Sequence, residues 1–179
     1  METATLANGC FWCTEAIFKR LKGVESVTSG YANSNIPNPT YEQVCSKTTG
    51  AAEALQIEYD KTLVDFETLL DVFFATHDPT TLNQDGANFG TDYRSAIFYK
   101  NDEEKKVAEE KIKQLKQEKK YDDPIVTAIT PFTNFYKAED YHQDFYESGN
   151  RPDYCRYIID PKIQKLLTGF NDKVKEEYK

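Results

Sequence analysis

Residues 66–74 constrain the fold more than any other stretch. Phe66, Leu69, Leu70, Phe73 and Phe74 recur at i, i+3, i+4, i+7 and i+8, the apolar stripe of a helix with one buried face. Before it, Leu55, Ile57 and Tyr59 alternate with Gln56 and Glu58, the period of a half-buried strand. The helix must stop at His77-Asp78-Pro79, because the residue before a proline resists the α region. Ser95–Tyr99 then reads as a second strand. A helix carrying bulky apolar residues between two strands needs a sheet to lie on.

The rest of the chain repeats that interleaving. Thr3–Asn8 reads as a strand and Gly9 breaks it. Phe11–Leu21 turns helical, with Gly23 placed as its C-cap. Val24–Ser29 is a short strand, followed by a loop rich in Asn and Pro to Thr40 and a helical turn at Tyr41–Cys45. A polar loop of 14 residues, Thr80–Tyr93, is long for a compact domain, and such loops tend to carry function. Asp102 is placed as the cap of a charged helix through Lys119, whose Lys/Glu run reads as a solvated face. Ile125–Thr130 reads as a strand, Gly149–Cys155 as a loop and Tyr157–Ile159 as extended. A last helix points Ile163, Leu166, Leu167 and Phe170 inward. The expected class is α+β: an α/β sandwich of ferredoxin-like type. A central mixed sheet carries two longer helices, the C-terminal part is loop-rich, and the whole chain, 1–179, forms a single domain.

A formal charge of −8 over 179 residues argues against nucleic acid as a partner, since phosphate binding wants a basic face. No apolar run is long enough to span a bilayer, and Met1-Glu2 leads straight into a strand pattern, so no signal peptide is expected. Four cysteines are too few for a disulfide scaffold. A cytoplasmic monomer with reduced, working thiols is the expectation.

The thiols focus on Gly9-Cys10-Phe11-Trp12-Cys13-Thr14-Glu15, where a strand hands over to a helix. Free cysteine has a pKa of about 8.5 and must become a thiolate to attack; unpaired N–H groups at a helix start favour an anion there. Cys10 is therefore read as a low-pKa redox nucleophile. Two readings stay open: a thioredoxin-like Cys10/Cys13 dithiol, or attack by Cys10 with a second cysteine resolving the product. A structural zinc site usually shows two close ligand pairs, and only Cys10/Cys13 is one. Glu53 precedes a strand; desolvated in an aromatic pocket it would hold a proton near neutral pH. Tyr31 and Tyr93 lie beside loop glycines and could offer hydroxyl donors or be ordinary core. Phe11 and Trp12 flank Cys10, an aromatic wall suited to a methyl on sulfur.

Gly9-Cys10-Phe11-Trp12-x-x-Glu15 resembles the signature of the A-type peptide methionine sulfoxide reductases. Gly30-Tyr31, Asn38-Pro39-Thr40-Tyr41-x-x-Val44-Cys45, Thr49-Gly50-x-Ala52-Glu53, His77-Asp78-Pro79-Thr80, Tyr93-Arg94-Ser95, Ala138–Gln143 and Tyr154-Cys155 match in the same order. The resemblance implies reduction of the S epimer of methionine sulfoxide in oxidised proteins and peptides, with the free amino acid as a further candidate substrate. It implies that Cys10 attacks the sulfoxide sulfur, that protonated Glu53 serves the oxygen with Tyr31 and Tyr93 bonded to it, and that Phe11 and Trp12 hold the methyl. Cys10 is then left as a sulfenic acid. Cys155 is the favoured resolver and Cys13 its rival; Cys45 is read as core. Thioredoxin, or another dithiol, is the reductant, and no bound cofactor or metal is implied. A thiol–disulfide oxidoreductase and a non-catalytic redox-sensing homologue are the alternatives.

The chain departs from the family pattern at named places. Asn33-Ser34 stand where Gly-Gly is common, Ala51 replaces a His, and Ala87-Asn88 replace an Asn-Asp pair whose Asp lines the substrate pocket. Asp92 replaces a Gln. Asn88 can hydrogen-bond but cannot change charge, so Asp85 or Asp92 is the candidate for the missing carboxylate.

Overall fold

The computed structural model describes residues 1–148, 153 and 155–179, the side chains of Cys155 and Arg156 excepted. Its centre is β1 (Glu2–Asn8), α1 (Phe11–Phe18), β2 (Val24–Ala32), β3 (Ala52–Tyr59), α3 (Phe66–Ala75) and β6 (Ser95–Tyr99), with the five-residue α2 (Tyr41–Cys45) between β2 and β3. A two-stranded hairpin, β4 (Gln84–Asp85) and β5 (Asn88–Phe89), forms inside the long loop. After β6 come α4 (Asp102–Gln117), β7 (Ala128–Pro131), β8 (Phe135–Lys137) and α5 (Asp160–Gly169).

The main sheet runs β7-β6-β1-β3-β2-β8. Its four central strands are antiparallel to their neighbours in the order fourth-first-third-second of a β-α-β-β-α-β unit, which is the ferredoxin-like arrangement. The β7 strand adds parallel to β6, so the sheet is mixed. Period two sorts its faces. Ala4, Leu6, Leu55, Ile57 and Ile97 face the helices and form one core with Ile17, Phe18, Leu69, Leu70, Phe73, Ala108 and Leu166. The opposite face is lined by Ala7, Ala32, Ala52, Ala54 and Ala96 and covered by Phe132 and Phe135.

Some boundaries differ from the pattern reading. The α1 helix ends at Phe18, and Leu21 instead bridges to Val174 near the C-terminus. The cap of α4 is Asn101, not Asp102: its side chain accepts from Glu104 N–H at 2.9 Å. Only Ala128–Pro131 of the 125–130 segment pairs, because Val126 N–H bonds the Pro79 carbonyl instead. Tyr157–Ile159 is not extended but part of a wide helical turn, Cys155–Ile159, running into α5. The pull is packing: Ile159 is fully buried against Cys10 and Cys13. Lys111, within the charged run of α4, is buried and ion-paired to Asp71 at 2.7 Å and Glu67 at 3.1 Å.

Candidate active site

Strand register builds the site at one end of the sheet. Residues 53, 55 and 57 share a face, so Glu53 points to the helix side with Leu55 and Ile57. Tyr31 is its cross-strand partner. The β1 strand ends at the same edge, at Asn8, whose side chain accepts a hydrogen bond from Thr14 in the first turn of α1. Gly9 makes the corner with φ of +103°, and a Cβ there would sit 2.2 Å from an Asp85 carboxylate oxygen. Glycine is required by both backbone and space. Cys10 is the N-cap residue of α1, with extended backbone and no side-chain cap bond.

The Cys10 thiol is 6% exposed, packed with Cys13, Ala16, Tyr146, Ile159 and Ile163. Burial pushes its pKa well above the ordinary thiol value, with Cys13 and then Glu53 adding to it, while the Trp12 N–H works the other way. This corrects the expectation of a low-pKa thiol. A helix terminus stabilises an anion by about 1 kcal/mol, less than one pKa unit, so desolvation wins and Cys10 rests protonated.

Glu53 is 2% exposed. Its Oε1 accepts from the Phe11 N–H at 3.2 Å, tying β3 to the first turn of α1. Its Oε2 has no partner among the described residues. Burial raises its pKa to about 8; the Phe11 N–H opposes this, the charges of Asp92 and Cys13 add to it, and the Tyr93 hydroxyl lowers it. The carboxyl therefore carries a proton at neutral pH, with one oxygen open. The Tyr31 hydroxyl donates to Glu139 Oε1 at 2.9 Å, and Glu139 Oε2 accepts from the Tyr41 N–H at 2.9 Å. Burial and that carboxylate push the Tyr31 phenol far up. Burial, then Glu53, does the same for Tyr93. Both phenols remain hydroxyl donors.

The two side chains that follow Cys10 enter one aromatic cluster. Phe11 meets Tyr31 at 5.8 Å and His142 at 5.0 Å between ring centres. Trp12 stacks on Phe145 at 3.9 Å, and its indole N–H donates to His142 Nδ1 at 3.1 Å. His142 must then carry its own proton on Nε2.

The family model for peptide methionine sulfoxide reductase matches residues 2–174. The chain belongs to the peptide methionine sulfoxide reductase family. It is 52% identical to the peptide methionine sulfoxide reductase MsrA of Saccharolobus solfataricus, over 98% of either chain. Among solved structures it resembles Mxr1 from Saccharomyces cerevisiae in reduced form, with a TM-score of 0.75 and 36% identity over 84% of this chain and 87% of that one. It also resembles Mxr1 in complex with Trx2, with a TM-score of 0.54 and 30% identity over 80% and 84%.

As a member of this reductase family the enzyme gathers Cys10, Cys13, Phe11, Tyr31, Glu53 and Tyr93 at one end of the sheet. Asn88 lies on β5, opposite Asp85 in the hairpin. Ala51 is buried beside Phe11 and Tyr31. Cys45 is not core but half-exposed on α2. The Cys155 side chain lies outside the described residues. Of the two carboxylates suggested for position 88, Asp85 is turned to Lys162, 3.4 Å away on α5. Asp92 is buried and acts on Glu53. No cluster of three or more metal-type side chains occurs among the described residues. Sequence reasoning missed Glu139, which holds Tyr31, and His142, which holds Trp12. It also missed the part played by Glu15, which accepts from Ser29 Oγ at 2.7 Å and from the Asp144 N–H. All three lie in stretches that match the family, but only contacts made across more than a dozen residues give them a task.

Proposed function

We propose that the enzyme reduces the S epimer of methionine sulfoxide in oxidised proteins and peptides, with Cys10 as nucleophile and Glu53 as acid. The observation that carries this is the buried, protonated Glu53, held by the Phe11 N–H with its second oxygen open. A sulfoxide oxygen placed there receives the Glu53 proton as the Cys10 sulfur attacks the sulfoxide sulfur. The thiol proton returns to Glu53, oxygen passes to Cys10 as a sulfenic acid, and methionine leaves with the sulfur lone pair. Tyr93, and Tyr31 once released from Glu139, are the hydroxyl donors to that oxygen. Phe11 and Trp12 wall the methyl, and Asn88 contributes from the hairpin. Sulfenic acid and a second thiol give a disulfide and water. A dithiol then supplies two electrons to reopen it; thioredoxin is that reductant, supported by the Mxr1–Trx2 complex.

Cys155 is our favoured resolving thiol, with Cys13, three residues from Cys10, as the rival. We place the whole chain in one domain and the enzyme in the cytoplasm as a monomer. No helix among the described residues is long and apolar enough to cross a membrane. The test is thioredoxin-coupled consumption of peptides carrying the separate epimers. Turnover of the S epimer alone, abolished by Cys10→Ser, is expected; equal turnover of the R epimer rejects the assignment. Normal turnover by Cys155→Ser assigns resolution to Cys13.

A further inference from the structure

Asp92 has no task in the reaction just described, yet its placement is costly. It is 1% exposed, in the 3₁₀ turn Thr91–Tyr93. Its Oδ1 is held by Lys47 Nζ at 3.1 Å, and its Oδ2 is buried with no partner among the described residues. A buried carboxylate oxygen without a partner is strongly disfavoured. The approach of Lys47 is also built. Lys47 follows α2 in the left-handed region, with φ of +63°, a conformation costing an ordinary residue about 1–2 kcal/mol. Its ammonium passes over the Tyr93 ring, 5.6 Å from the centroid. Gly90, with φ of +131°, leaves the room: a Cβ there would lie 2.4 Å from Lys47 Cε and 2.6 Å from Asp92 Oδ1.

We propose that Asp92 is a positioning residue for the reduction, and that the Lys47–Asp92 pair sets the pH range over which Glu53 keeps its proton. This rests on the role given to Glu53 above. The Thr91–Tyr93 turn packs against β3, the strand that carries Glu53, so the Asp92 carboxylate acts on the Glu53 carboxyl and Lys47 fixes how much of its charge is felt. The other titratable groups facing Glu53 are Cys10 and Cys13 from α1, Tyr31 from β2, Tyr41 and Cys45 from α2, and Tyr93 beside Asp92. Burial raises the pKa of Cys10, Tyr31, Tyr41, Cys45 and Tyr93, so these rest as neutral thiols and phenols. Asp92 is therefore the charged carboxylate through which Glu53 is tuned.

The direction follows from charge alone. Removing a negative neighbour favours the ionised form of Glu53; removing a positive one disfavours it. In single-turnover reduction of an S-sulfoxide peptide, Asp92→Asn shifts the alkaline limb of the rate–pH profile down by about one unit, a loss of about fivefold near pH 8 that recovers near pH 6. Lys47→Gln, at a half-exposed site, moves the limb up, and Asp92→Glu restores its position. The infrared band of the protonated Glu53 carboxyl, assigned with Glu53→Gln, is titrated in the same variants without substrate. It is expected to disappear at correspondingly lower pH in Asp92→Asn and higher pH in Lys47→Gln. A loss in Asp92→Asn that is uniform across pH, or a band that titrates alike in all variants, overturns the proposal. Absence of turnover in the unmodified enzyme with the band shifts intact overturns only the reading of the reaction.

Discussion

At the scale of single residues, Cys10 and Glu53 divide the work by environment. The thiol is made a poor anion by burial, and the carboxyl beside it is made a good acid at neutral pH by the same burial. In the proposed reaction the proton therefore starts on Glu53, and Cys10 gives up its own as bond formation draws it off. Replacing Glu53 with Gln keeps the Phe11 contact but removes the transferable proton. A positioned general acid contributes about 10²–10⁴-fold, so single-turnover reduction by Glu53→Gln is expected to fall by that factor, with peptide binding little changed. A rate within a few-fold of the unmodified enzyme would show that the sulfoxide oxygen takes its proton elsewhere. Glu139 has the supporting part: it fixes Tyr31 and the start of α2 together.

At the scale of elements, three pieces far apart in sequence are pinned at Gly9. The corner after β1, the β4–β5 hairpin and the first turn of α5 meet through Asp85, which lies over Gly9 and pairs with Lys162. Gly9→Ala puts a methyl into that carboxylate on a backbone of positive φ. Overpacking of this kind costs about 1–3 kcal/mol, to be read from urea unfolding. Hydrogen exchange is expected to speed up in residues 84–89 and in the first turn of α5, beyond what global destabilisation accounts for. Unchanged stability would mean that the hairpin yields freely and that Asp85 is not part of a clamp.

At the scale of the whole molecule, the site opposes stability. An unfolded chain ionises Glu53 above about pH 4.3, whereas the folded chain holds the proton until about pH 8. The folded state binds more protons across that window, so the Glu53 contribution is present below pH 4.3 and is lost as pH rises to 8. Glu15, raised to about 7 by burial, acts in the same direction over a shorter window. His77, lowered to about 4 by burial, acts oppositely and withdraws stability as pH falls below 6.5. Glu53→Gln is therefore expected to melt near the unmodified protein at pH 5 and clearly above it at pH 8. A temperature gap that does not widen with pH would show that Glu53 is already ionised in the folded state.

The α3 stripe, the alternation of β3 and the helix start at Cys10 were legible in the sequence, because local period and local chemistry determine them. So was the family, through the spaced stretches from Gly9 to Cys155. Three things were decided by the tertiary structure. The helix start at Cys10 predicted an acidic thiol, but the apolar residues Tyr146, Ile159 and Ile163 close over it and reverse the outcome. Tyr157–Ile159 read as extended, but packing against the thiols winds it into a helical turn. Asp92, one of two candidates in the sequence for the missing carboxylate, becomes buried only when the Thr91–Tyr93 turn packs against β3 and Lys47 reaches it. In each case the deciding quantity is desolvation, which depends on what the whole chain places around a group and not on the residues next to it in sequence.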